Sequence, residues 1–299
     1  MIHPLHMRIV RSDGAVFELG DGTQWVLSMN GMTDWIALDY DVNTSPNVLT
    51  DGSSFISSRI KEKDRTLEAV FWGKDRLAAR DKAISFFNPR LTFEAHLSYL
   101  GRTRWCEGRQ IAFDCKISTE STPTSIKWTL LCLTPFLQSE DRNDFSFNDA
   151  LPMFGFPFVS HTAHDSMDGE LLPIGFMASK LIYDGKNTVY NSGDVETFYK
   201  IEIRAFGKLE NPTVTKDGKH IKLLTNLKAG DVVEIDFETM PTKITINGEN
   251  SVNLTSRDSS FTGMVMKTGA NVFSFDVDNK ANRGLAQVRI IFTKKYLGV

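Results

Sequence analysis

Apolar and polar residues alternate along most of this chain with a period of two, which predicts strands with one buried and one solvated face. The clearest case is Phe198 to Phe275. Tyr199, Ile201, Ile203 and Ala205 alternate with Lys200, Glu202 and Arg204, and Val233, Ile235 and Phe237 alternate with Glu234 and Asp236. A further short strand is expected at His220–Leu224, Asn211-Pro212 reads as a turn, and Asn247-Gly248 after Ile244 is a strong two-residue hairpin signal. In the first half, Leu91, Phe93, Ala95, Leu97 and Tyr99 alternate with Thr92, Glu94, His96 and Ser98. A turn at Leu100-Gly101-Arg102-Thr103 leads into a second strand, interrupted at Gly108 and resumed over Gln110–Ile117, and another strand spans Ile126–Phe136. Phe55–Gly73 reads as two strands around the charged turn Lys61–Arg65.

One stretch breaks the rule. Asp75–Phe87 is predicted as a helix, with Asp75 as N-cap and Asn88-Pro89 as its stop. Leu77, Ala78, Ile84 and Phe87 are expected on its buried face, and Arg76, Arg80, Asp81 and Lys82 on the other. Asn43–Ser54, rich in Asn, Thr, Ser, Pro, Gly and Asp, is predicted as a loop. The polar run Gln138–Asp144 is predicted as a linker. The chain is therefore read as mainly β with one α-helix, in two domains: 1–140, strand-rich with the helix, and 141–299, a two-sheet β-sandwich.

Composition narrows the function classes. A chain of 299 residues, 41% hydrophobic and 24% charged, can bury two cores. Net charge is −3, and neither half is basic: residues 1–150 hold 17 Lys/Arg against 20 Asp/Glu, the rest 17 against 17. Sequence-specific nucleic-acid binding is not expected. No apolar run approaches the roughly eighteen residues of a membrane helix, so no membrane insertion is expected. Cys106, Cys115 and Cys132 are too sparse for a disulfide framework. Cys115 and Cys132 fall on apolar strand faces and read as small buried hydrophobes, and synthesis in a reducing cytoplasm is expected.

The search for site chemistry returns little. His161 and His164, beside Asp165, lie in a polar stretch with no third ligand, and His3 with His6 is no better. Asp276-Val-Asp-Asn opens like a calcium loop, but the later ligand positions hold Lys280, Ala281 and Gln287. No nucleophile elbow, phosphate loop, dinucleotide fingerprint or Cys-x-x-Cys is present. No catalytic residue, cofactor or metal is assigned, and the chain is read as a non-enzyme. All five tryptophans lie in the first half, which leaves the second half only Phe and Tyr, such as Phe176, Tyr183 and Tyr190, as a platform for a sugar.

Four segments come in a telling order: Gly207-Lys-Leu-Glu-Asn-Pro, Lys228-Ala-Gly-Asp-Val-Val-Glu-Ile-Asp, Ile246-Asn-Gly-Glu-Asn and Lys267-Thr-Gly-Ala-Asn-Val-Phe-Ser-Phe. They resemble the C-terminal half of the distal tail proteins of long-tailed, siphovirus-type bacteriophages. The first half resembles the same family in its layout: strands leading to one helix, a long hairpin, and a last strand ending in Leu131-Cys-Leu-Thr-Pro-Phe-Leu. The resemblance implies a belt domain that closes a hexameric ring, single or in stacked rings, and a galectin-like or carbohydrate-binding-module-like β-sandwich that projects outward. It implies a structural hub in the virion's tail tip or baseplate, joining the tail tube to tail-tip proteins and leaving a channel for DNA. Implied partners are the tail tube protein, a tail-associated hub or lysin protein, and receptor-binding proteins. The alternative is a carbohydrate-binding module of a phage- or prophage-encoded surface protein. For the ring contact, the residues themselves suggest the hairpin Leu91–Ile117: Tyr99, Arg102, Arg104, Trp105 and Arg109 concentrate the residue types that dominate interface hot spots.

Overall fold

The computed structural model describes residues 5–28, 32, 34–35, 38–47, 50–116, 122–147, 150–152, 179–181 and 186–298. The chain divides into two units: Met1–Asp141 with Lys294–Val299, and Arg142–Thr293.

The first unit contains β1 (His6–Arg11), β2 (Val16–Gly20), β3 (Trp25–Leu27), β4 (Tyr40–Pro46), β5 (Ser53–Ile60), β6 (Lys63–Phe71), helix α1 (Arg76–Phe86), β7 (Thr92–Tyr99), β8 (Arg102–Cys115), β9 (Ser125–Cys132) and the start of β10 (Leu137–Phe147). Its main sheet is antiparallel, in the order β2-β1-β7-β8-β9-β6-β3. The period-two pattern decides which face is buried: Phe93, Ala95 and Leu97 on β7, Leu67, Ala69 and Phe71 on β6, and Ile126, Trp128 and Leu130 on β9 share one core. Each Leu, Ile or Phe among them removes apolar surface from water, worth about 1.5–3 kcal/mol.

Helix α1 begins as predicted. The Asp75 carboxylate accepts from the Ala78 N–H at 3.2 Å, a cap worth about 1 kcal/mol. The expected buried face holds at Phe87 and is corrected elsewhere. Ala83, Phe86 and the C-cap Phe87 are buried, whereas Leu77 is 70% and Ile84 43% exposed. Two adjacent phenylalanines outweigh the aliphatic pair: Phe86 packs on Phe17 at 5.1 Å, and Phe87 stacks on Phe113 at 4.8 Å and meets Trp128 at 5.2 Å. Arg11 fastens the helix end to β1, donating from Nη1 to the Ser85 and Phe86 carbonyls, both at 2.9 Å.

Two further expectations are corrected. Part of the predicted loop at Asn43–Ser54 is strand, because β4 and β5 pair as a separate two-stranded ribbon. Cross-strand polar pairs, such as Asn43 Nδ2 to Ser57 Oγ at 3.1 Å, let a polar sequence keep strand geometry. The predicted linker Gln138–Asp144 is likewise strand β10. Its polar residues have partners in the ladder and beside it: Gln138 pairs with Trp105, and Asp144 forms an ion pair with Arg289. The expected interruption at Gly108 is also absent: β8 is one strand with a register shift between Gln110 and Ala112.

The second unit takes in the rest of β10, the short pair β11 (Ala150–Pro152) and β12 (Ser179–Leu181), then β13 (Asn187–Asn191), β14 (Tyr199–Ala205), β15 (Leu209–Glu210), β16 (Thr213–Lys216), β17 (Lys219–Lys222), β18 (Asn226–Leu227), β19 (Val232–Asp236), β20 (Lys243–Ile246), β21 (Glu249–Asn250), β22 (Gly269–Asp276) and β23 (Ala286–Tyr296). One sheet runs β10-β23-β14-β19-β20-β21 and the other β13-β22-β16-β17. Ile201, Ile203, Val233, Ile235 and Ile290 from the first sheet and Val214, Ile221, Phe273 and Phe275 from the second share one core, which makes the unit a β-sandwich. Asn247 and Gly248, at φ 51° and 85°, form the expected two-residue hairpin turn, and Asp217-Gly218, at 48° and 85°, repeats it between β16 and β17. The chain leaves the first unit within β10 and returns to it within β23, so the second unit is an insertion.

Candidate functional site

The five residues expected at an interface do not form one patch. Tyr99 and Arg102 are cross-strand partners at the turn, while Arg109 pairs with Thr92 at the other end of the hairpin. Nor does the hairpin project. β7 pairs with β1 along its other edge, and β8 pairs with β10 and β9. Trp105 therefore lies within its own sheet. Its indole N–H donates to the Ser139 carbonyl at 2.9 Å, and its ring stacks on His96 at 5.9 Å. The Arg104 guanidinium lies 3.6 Å above the Tyr296 ring, a cation–π contact that ties the end of β23 to β8. Arg102 and Arg109 stay exposed. Arg109 lines a groove of about 360 Å³ with Glu107, Leu131, Leu133 and Gln138. The tip of the turn carries an exposed Leu100 at φ 51°, an unusual conformation for a side chain without a polar group.

The feature that does project is the β4–β5 ribbon. Nearly every residue of it is exposed, and it joins no other sheet. Yet it carries Tyr40, Val42, Phe55 and Ile56, the last two 66% and 63% exposed. The register pairs Asn43 with Ser57 and Thr44 with Phe55, leaving Ile56 as the extra residue of a bulge. Asp41 holds the base through Lys61 at 3.3 Å and Arg59 at 3.4 Å. An isolated two-stranded ribbon is marginal in water and gains stability by being covered. Sequence reading expected the strand β5, within Phe55–Gly73, but missed most of its partner β4, whose strand signal is polar and whose apolar residues are few.

In the second unit, the Asp276 carboxylate is engaged by Arg283 through Nε at 2.5 Å and Nη2 at 2.7 Å, and Asp278 by Asn211 and Lys222, both at 2.7 Å. Both carboxylates serve a polar turn. Among the described residues no group of three His, Cys, Asp or Glu side chains could hold a metal ion. His3, His161, His164, Asp165, Phe176 and Tyr183 lie outside the described residues. Tyr190 is exposed on β13, opposite the small Ala270.

Residues 192–296, nearly all within the sandwich, match the family model described as the siphovirus-type tail component, C-terminal domain. The family resemblance read from the sequence is borne out there. No curated protein matches the chain by sequence. Among solved structures, the Dit protein of phage SPP1, described as a paradigm of the hub adsorption apparatus in phages infecting Gram-positive bacteria, aligns with a TM-score of 0.66 at 10% identity. The alignment covers 97% of this chain and 98% of that one. A chain of the phage P2 baseplate, in its activated conformation with Ca, aligns at 0.50 and 10% identity over 100% of both. The matched stretch thus sits within a chain whose fold resembles that of SPP1 Dit almost end to end.

Proposed function

We propose that this chain is the hub protein of a phage tail tip or baseplate, and that six copies close a ring through their first units. The single observation that carries the ring is the β4–β5 ribbon. A closed ring needs a heterologous contact, in which one patch meets a different patch on the next copy. A ribbon exposed on both faces, with four apolar side chains and no pairing to any other described strand, suits the donor side of such a contact. The groove beside Arg109 and the exposed tip at Leu100 and Arg102 offer the receiving side. The family match and the fold likeness to SPP1 Dit support placing the ring between a tail tube protein and the tail-associated hub or lysin and receptor-binding proteins. The open centre would pass DNA. The protein would be made in the host cytoplasm and end in the virion, and the sandwich would be the galectin-like domain that carries the attachments. No catalysis is assigned to it.

The test replaces Phe55 and Ile56 together by Asp. Light scattering and negative-stain images should show rings for the parent protein and smaller species for F55D/I56D, with the circular dichroism spectrum unchanged. Assembly of the variant like the parent would place the contact elsewhere, and a parent that stays monomeric at high concentration would remove the ring. A second reading, carbohydrate binding, is favoured by the exposed Tyr190 on the outer face of β13. A glycan that binds the monomeric parent and not Y190A would select it.

A further inference from the structure

Cys106 on β8 and Cys132 on β9 are both buried and both face the core of the first unit. The register pairs Arg109 with Leu131. Cys132 therefore lies beside Gly108, with Cys106 as its diagonal neighbour. Diagonal positions on a sheet are about 7–8 Å apart, too far for most short side chains to meet. Here the two sulfurs are 3.5 Å apart. Gly108 accounts for the approach: a Cβ at that position would lie 2.4 Å from the Leu131 carbonyl oxygen and 2.7 Å from Leu130 Cγ. Only glycine lets the strands come this close between the two cysteines.

The surroundings hold a positive charge. Arg65 on β6 is fully buried. Its Nη1 donates to the Trp35 carbonyl at 2.9 Å and its Nη2 to the Pro135 carbonyl at 2.7 Å, while its Nε has no hydrogen-bond partner among the described residues. Among the described residues no carboxylate forms an ion pair with it. A buried guanidinium in that position favours an anion nearby. The hydrogen bond with Cys106, and then the charge of Arg65, hold the Cys132 thiol below its ordinary range against the opposing effect of burial. The same hydrogen bond, together with burial, pushes the Cys106 thiol well above it. The two thiols thus lie side by side, with Cys132 the more readily ionised of the pair.

We propose that Cys106 and Cys132 are a dithiol that closes to a disulfide when the protein meets hydrogen peroxide, and that the reduced pair is its precursor. The Cys132 thiolate attacks one peroxide oxygen. An S–O bond forms, the O–O bond breaks, and hydroxide leaves to become water. Cys106 then gives up its proton and attacks the sulfur of the Cys132 sulfenic acid. The S–S bond forms, the S–O bond breaks, and hydroxide leaves with that proton as a second water. Two thiols and one peroxide yield one disulfide and two waters, with sulfur oxidised and peroxide reduced. The bridge would tie β8 to β9 covalently in the first unit, and it stands whether or not the chain forms a ring.

The experiment treats the intact protein with hydrogen peroxide under native conditions, then unfolds it and alkylates the free thiols. The expected outcome is a mass loss of about 2 Da, a single alkylated thiol at Cys115, and a proteolytic peptide joining Cys106 to Cys132 that reduction releases. The melting temperature should rise by about 5 °C or more. C115S should behave like the parent, and C106S should give oxygen adducts at Cys132 with no joined peptide. Three alkylatable thiols after treatment, oxygen adducts on the parent without a joined peptide, or a bridge involving Cys115 would each overturn the proposal. The parent's own peptide map decides the matter even if C106S does not fold.

Discussion

Tyr199 shows what alternation can and cannot reveal about one residue. The pattern places it correctly on the buried face of β14, where it packs on Phe237 at 4.8 Å and edge-on against Phe273 at 5.5 Å. It does not reveal that the hydroxyl is buried with no hydrogen-bond partner among the described residues, or that burial pushes its pKa well above the usual tyrosine range. An unsatisfied buried hydroxyl costs about 1–3 kcal/mol, so Y199F should be neutral or stabilising by about 1 kcal/mol in urea unfolding. A loss of more than about 1 kcal/mol would reveal a partner for the oxygen. Trp105 teaches the complementary lesson. An Arg- and Trp-rich hairpin reads as an interface in sequence, but the indole is satisfied by Ser139, a residue 34 positions away that no local pattern connects to it. Arg65 was illegible for the same reason: its carbonyl partners come from Trp35 and Pro135, on either side of it in sequence.

At the scale of elements, the strands with strict alternation were legible almost residue by residue, as was the helix with its Asp75 cap. The face of α1 was not, because its apolar residues spread around the helix and the choice falls to aromatic partners on β2, β8 and β9. The correction is measurable. F87A should cost about 3–5 kcal/mol as a buried large-to-small change. I84A, on the exposed side, should stay within about 0.5 kcal/mol. Equal losses for the two would restore the face expected from sequence. Strands β4 and β10 were illegible for a shared reason. Both are polar strands, held by ladder bonds and cross-strand side-chain pairs, and a periodicity of apolar residues cannot report on them.

At the scale of the molecule, two strand-rich halves and a family resemblance were legible, because turn chemistry and alternation survive in order along the chain. The path between the halves was not. Gln138–Asp144 looked like a linker on polarity alone, yet strand β10 runs through it. Ladder hydrogen bonds hold such backbone away from a protease. Limited proteolysis should therefore leave the bonds from Leu137 to Phe147 intact while exposed turns are cut. A stable fragment beginning between residues 138 and 145 would restore the linker.

The return of the chain also bears on how such proteins diversify. The first unit contains Lys294–Val299, and Tyr296 lies beneath Arg104. Exchanging the second unit between related genes cannot be achieved by one recombination event that replaces everything downstream, since that would also replace the strand end that packs with the first unit. A viable chimera needs two breakpoints, one near the codons for Asp141 and Arg142 and one near those for Thr293 and Lys294. The tail of the gene should then share its ancestry with the beginning, while the segment between is free to come from another lineage.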